Sequence, residues 1–224
     1  MRRFLRKCAV FVLIFALISK AGEKVSGDSF VSCFSPCGNF VCALSDGMGT
    51  GHTALNESRR ATELLKCFVS SGIELDTALS LINSSLLLCS LEDSFATMDV
   101  CSVDLSCGRI DMYKSGAVAG YIKKCNEILK IESKSLPFGV AEEVFDTKVA
   151  SVSAGKSAQV VLMTDGVYDV FACGGFGSLN DIIEHSKTDN PQIIASEILN
   201  VALEGICGKA TDDMSVCVIN VWER

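Results

Sequence analysis

"NFVCALSDGMGTG", residues 39–51, is the stretch on which the fold turns. Phe40 to Leu44 are apolar or small without a break, the pattern of a buried strand. The run ends on an aspartate, Asp46, with Gly47 beside it and Gly49 and Gly51 just beyond. A tight turn accounts for the glycines. It does not account for an acid at the end of a buried strand. Just downstream, residues 52–71 carry apolar positions at Leu55, Leu64, Leu65, Phe68 and Val69, and Gly72 closes the pattern. That spacing predicts an amphipathic helix with a C-terminal stop. Strand, sharp glycine turn and a helix starting near Thr53 are therefore expected in succession. A second, more apolar helix is expected over 75–90, packed on the first.

Outward from this unit, strands dominate. Strand-like runs occupy 97–105, 109–114, 117–124, 144–152 and 158–164, with "SCG" at 106–108 as a turn between the first two. Residues 190–205 read as a helix with Pro191 near its start and Gly205 near its stop. The chain closes on an alternating strand at 214–222. Helices come in blocks rather than in strict alternation with strands. That favours an α+β fold, a four-layer sandwich of two antiparallel sheets flanked by helices, over a doubly wound parallel sheet. Three prolines, at 36, 137 and 191, leave no proline-rich linker, and no repeat is visible. A single domain over 1–224 is expected. The apolar run at 8–18, "CAVFVLIFALI", reads as a first strand. The charged residues before it leave a membrane-anchor remnant over 1–19 as the alternative.

Composition excludes several functions. Of 224 residues, 49% are hydrophobic and 21% charged, which is ample for a core and argues against disorder. Net charge is −7 and no basic cluster follows residue 7, so a nucleic-acid partner is not expected. Twelve cysteines form no CxxC pair, and only His52 and His185 accompany them, so zinc is poorly supported. The cysteines read as small core residues in a reducing compartment, which places the chain in the cytoplasm. Were the N-terminal run an anchor, the cytoplasmic face of a membrane would be the alternative.

Four acidic spots share one grammar. Asp28 follows Gly27, Asp46 precedes Gly47, Asp165 precedes Gly166, and Asp212 and Asp213 stand before the final strand. Each lies beside a turn residue at the end of a strand-like stretch. Carboxylates at such positions can meet at one rim of a sandwich, where they require a positive partner. Mg²⁺ and Mn²⁺ take oxygen ligands of this kind. Asp-Gly is also a common turn dipeptide, so spacing alone leaves turn and metal readings both open.

The ordered motifs carry a resemblance. "KVSGDSF", "ALSDGMGTG", "LPFGV", "VVLMTDGVYD" and "TDDMSVCVINV" resemble successive motifs of the metal-dependent protein serine/threonine phosphatases, the PPM family. Within it they look most like the phosphatase domain of stage II sporulation protein E. The likeness runs from about residue 20 to the C-terminus. It implies two Mn²⁺ or Mg²⁺ ions held by Asp28, Asp46, the Gly47 carbonyl, Asp165 and Asp212, with Asp213 as the rival for the last place. It implies catalysis through Asp28, Asp46, Asp165 and Asp212, by a water that two metals activate for in-line attack on phosphorus. The implied substrate is a phosphoserine protein, of the anti-sigma-factor antagonist type. A catalytically quiet module that binds such a partner is the alternative. The helices near 53–90 resemble a switch element and a possible homodimer surface. Met48 stands where many relatives of the wider family carry a histidine, and His52 reads as a surface residue at a helix start. No lysine or arginine stands out as a phosphate clamp.

Overall fold

The computed structural model describes residues 8–89, 95–125, 127–142, 147–173, 178–186 and 188–223. Among the described residues, ten strands form two five-stranded antiparallel sheets. The first sheet contains β1 (Cys8–Ile18), β10 (Met214–Glu223), β9 (Ser157–Met163), β6 (Gly120–Lys124) and β7 (Glu127–Ile131), in that spatial order. The second runs β2 (Asp28–Phe34), β3 (Asn39–Asp46), β4 (Met98–Asp104), β5 (Arg109–Ser115) and β8 (Lys148–Ser153). α1 (Gly51–Ser70) and α2 (Leu75–Cys89) lie with the second sheet. α3 (Asp165–Ala172), α4 (Leu179–His185) and α5 (Pro191–Gly205) lie with the first.

Why these layers form can be read from β3. Successive side chains of a strand point to opposite faces. Cys42 and Leu44 enter the layer between the sheets, with Cys101, Met112, Val160, Leu162 and Cys217. Val41 and Ala43 point the other way and pack on Ala61 and Leu65 of α1 and Leu79 and Ile82 of α2. Because both faces are covered, β3 is apolar from Phe40 to Leu44, and it sits inside the second sheet between β2 and β4. The first sheet covers its outer face with Ile194, Ile198 and Leu199 of α5 and Val167 of α3. Residues 8–18 form a strand paired along β10. No helix of the described residues is long and apolar enough to cross a membrane.

Several details depart from the sequence reading. β2, β7, α3 and α4 were not anticipated as elements. Asp28 begins a strand rather than ending one, and Asp165 opens a helix rather than a turn. α1 starts at Gly51 instead of near Thr53, on two residues with positive φ, Gly49 (110°) and Gly51 (61°). Such angles suit glycine and few other residues. Residue 90 of the second helix and 144–146 of the strand expected at 144–152 lie outside the described residues. The cysteines do not all serve the core. Cys33, Cys42, Cys101 and Cys217 are buried, whereas Cys37, Cys67, Cys107, Cys125, Cys173 and Cys207 are exposed.

Candidate metal centre

Asp28 and Asp46 stand directly opposite each other in the β2–β3 register. Like charges at such a pair repel, so their placement needs a compensating reason. Asp46 is fixed by Thr97: the Thr97 amide donates to the Asp46 carbonyl at 2.8 Å, and the Thr97 hydroxyl meets the Asp46 amide at 3.2 Å. Asp28 is 5% exposed. Its Oδ2 accepts from the Thr164 hydroxyl at 3.0 Å and the Ser215 hydroxyl at 2.5 Å. Thr164 precedes α3 and Ser215 lies on β10, so these bonds tie the second sheet to the first across the rim. Asp28 Oδ1 is buried without a hydrogen-bond partner.

The remaining acids arrive from the first sheet. Asp165 opens α3, where its carboxylate accepts backbone N–H bonds including that of Gly166. Gly166 must be glycine, because a Cβ there would lie 2.1 Å from the Asp213 carbonyl oxygen. Gly47 is equally constrained, with a Cβ falling 1.9 Å from the Ala54 carbonyl oxygen. Asp212 and Asp213 part company. Asp213 accepts from the backbone amides of Lys20 at 2.7 Å and Gly27 at 2.6 Å, which stitches the chain before β10 to the approach of β2. Asp212 accepts from the Asp213 amide at 2.9 Å, and its charge acts on Asp46 and Asp165.

Electrostatics shows the crowding. Burial pushes Asp46 up to about 8, and the charges of Asp28, Asp165, Asp212 and Asp213 add to it. Burial also pushes Asp28 up to about 7, against the bonds from Ser215 and Thr164. Asp165 is raised by burial and by Asp212. An orphaned carboxylate oxygen among mutually repelling acids is a hard oxygen donor set short of positive charge. It fits a divalent cation of the Mg²⁺ or Mn²⁺ type. Among the described residues, the group whose ligand atoms all close to within 4.8 Å is instead Asp181, Glu184 and His185, which is fully on the surface. The rim acids form no such group among the described residues.

Sequence reasoning missed what lies behind the rim. Lys114, fully buried on β5, donates to Asp99 Oδ2 at 2.5 Å and to the Val118 carbonyl at 2.6 Å. Asp99 Oδ1 has no partner. Asp99 shares a space of about 20 Å³ with Asp46, Thr97, Thr164 and Asp165, room for about one water. A lysine amid buried residues of "RIDMYKS" was the available signal. His52 and Met48 are both exposed, as a surface reading of His52 anticipated.

Two antiparallel sheets flanked by helices, with acids at one rim, define a PP2C-type serine phosphatase fold. The family model described as Stage II sporulation protein E matches residues 36–222, and the chain belongs to that family. Stage II sporulation protein E of Priestia megaterium is 32% identical over 209 residues, covering 89% of this chain and 34% of that protein. The chain thus spans about a third of that relative. A solved structure of the PP2C phosphatase domain with a fragment of the regulatory domain of SpoIIE from Bacillus subtilis superposes with a TM-score of 0.87. It is 27% identical and covers 98% of this chain and 65% of that one. RsbX in complex with magnesium shares the fold, with a TM-score of 0.71 at 16% identity, over 97% of this chain and all of that one.

Proposed function

We propose that the chain is a single-domain, divalent-metal-dependent phosphatase that hydrolyses phosphoserine on a partner protein of the anti-sigma-factor antagonist type. The observation that carries this reading is the convergence of Asp28, Asp46, Asp165 and Asp212 at one rim, with Asp46 pushed up to about 8 by burial and by the other acids. Such a group is destabilising alone and becomes favourable with cations. That RsbX was solved with magnesium agrees with the same chemistry.

Asp28, Asp46, the Gly47 carbonyl, Asp165 and Asp212 would hold the metal pair. When bound, two divalent ions supply an acidified water and neutralise phosphoryl oxygens. The chain's own part is to hold these oxygens in place. Thr164 and Ser215 orient Asp28 so that Oδ1 stays available, and Thr97 pins the backbone of Asp46. Asp213 secures the approach to β2 and is not assigned as a ligand. α1 begins shortly after Gly47, so a shift of α1 would move Gly47 and Asp46 together, a route to regulation.

The test is release of phosphate from a phosphoserine protein with Mn²⁺ or Mg²⁺. Wild type should be active, and Asp46→Ala and Asp165→Ala should each lose at least about a hundredfold. Equal rates in all three would defeat the assignment.

A further inference from the structure

A second cavity opens beside the acid rim. Its volume is about 340 Å³, and Asp28 lines it as well as the rim. One wall is residues 28–31 of β2. The other is a stripe of α1 that includes Arg59, Thr62, Glu63 and Lys66. β2 is an edge strand: it pairs with β3, and no strand among the described residues pairs with its other side. An open edge presents a row of unsatisfied N–H and C=O groups, the surface to which extended peptides add as an extra strand.

α1 runs alongside β2 in the same direction. A Cβ on Gly27 would meet Ala54, the hydroxyls of Ser29 and Ser58 are 2.8 Å apart, and the charge of Lys66 acts on Cys33. The trough therefore starts at the rim and leads away from it. Arg59 and Lys66 are exposed, and neither side chain has an ion-pair partner among the described residues. Seven helical residues separate them by about 10.5 Å, which an extended chain covers in about three residues. Glu63 lines the trough as well; with Asp28 assigned to the rim, two cations stand against one acid, and the net positive charge beside an open strand edge favours an acidic occupant.

We propose that this trough receives the residues flanking the phosphoserine of the substrate protein, as a strand added to the outer edge of β2, with acidic side chains facing Arg59 and Lys66. The proposal rests on the phosphatase reading of the rim and adds the substrate's flanking chemistry to it.

The experiment is fluorescence anisotropy on the full chain with labelled phosphoserine peptides that differ in their flanks, aspartate in one and lysine in the other. Wild type should prefer the aspartate peptide. In R59E/K66E the ratio of the two affinities should fall about tenfold or more, and in R59K/K66R the wild-type preference should persist. An aspartate peptide N-methylated on alternate backbone amides should bind about tenfold more weakly than its parent, because it cannot complete a ladder. Equal preference in wild type and R59E/K66E overturns the charge assignment. Undiminished binding of the methylated peptide overturns strand addition. If the peptides bind with this pattern but neither is hydrolysed, the trough stands and the phosphatase reading falls.

Discussion

Asp212 and Asp213 are adjacent in sequence and differ in their hydrogen bonds. The Asp213 carboxylate satisfies two backbone amides, those of Lys20 and Gly27. Removing it leaves both amides short of an acceptor, and an unsatisfied buried donor costs about 1–3 kcal/mol. Asp213→Ala should therefore lower the melting temperature of cation-free protein by about 5 °C or more. Asp212→Ala removes only the acceptor of the Asp213 amide and relieves repulsion on Asp46 and Asp165. It should leave the melting temperature within about 3 °C and weaken Mn²⁺ binding at least about tenfold by calorimetric titration. The reverse pattern would assign the ligand to Asp213. At Gly47 and Gly166 the obstacle is backbone rather than a flexible side chain, since an added Cβ falls 1.9 Å and 2.1 Å from carbonyl oxygens. Gly47→Ala and Gly166→Ala should each destabilise by about 3 kcal/mol or more in urea titration. A cost within about 0.5 kcal/mol would mean that the two loops are looser than the structure has them.

At the scale of elements, what was legible depended on pattern strength. β3 and α1 were plain in the sequence because a continuous apolar run and a helical stripe are strong, long signals. β2 was not, because "DSFVSCF" mixes serines with apolar residues and lies at a sheet edge, where burial is uneven. β7 is five residues long, too short for periodicity to show. α3 was hidden because Thr164-Asp165-Gly166 carries turn chemistry, although the same residues open a helix with an acid in its first turn. The acids themselves were legible as a set, since each sits at an element's end. The Lys114–Asp99 pair was not, because pairing across β4 and β5 depends on a register that composition does not specify. That pair also yields a stability prediction. Lys114→Met leaves a buried aspartate without its cation and should cost about 3–5 kcal/mol. Lys114→Met with Asp99→Leu removes both charges and should recover most of that loss in urea denaturation. A double variant no more stable than the single one would show that Asp99 does not depend on Lys114.

The whole molecule explains why the rim is both weak and responsive. Asp28 and Asp46 belong to one sheet, Asp165 and Asp212 to the other side of the sandwich, so mutual repulsion acts to part the layers. The Thr164 and Ser215 bonds to Asp28 oppose it. Without cations, Asp28 and Asp46 hold protons up to about 7 and about 8 in the folded chain, well above the ordinary 3.8. The folded state then binds more protons than the unfolded state between pH 4 and pH 8, so stability is lost as pH rises through that window. Cations that replace the protons reverse the trend, because their binding gains as the carboxylates ionise. Chelated protein should melt about 5 °C or more higher near pH 5 than near pH 8. Added Mn²⁺ should raise the melting temperature strongly near pH 8 and little near pH 5. Asp46→Asn should flatten the pH dependence of the chelated protein, since it removes the group with the larger shift. Scanning calorimetry over this range decides the matter. A chelated protein whose stability stays level or climbs toward pH 8 would mean that the carboxylates are not buried and crowded at the rim, and the proposed cation requirement would lose its physical basis.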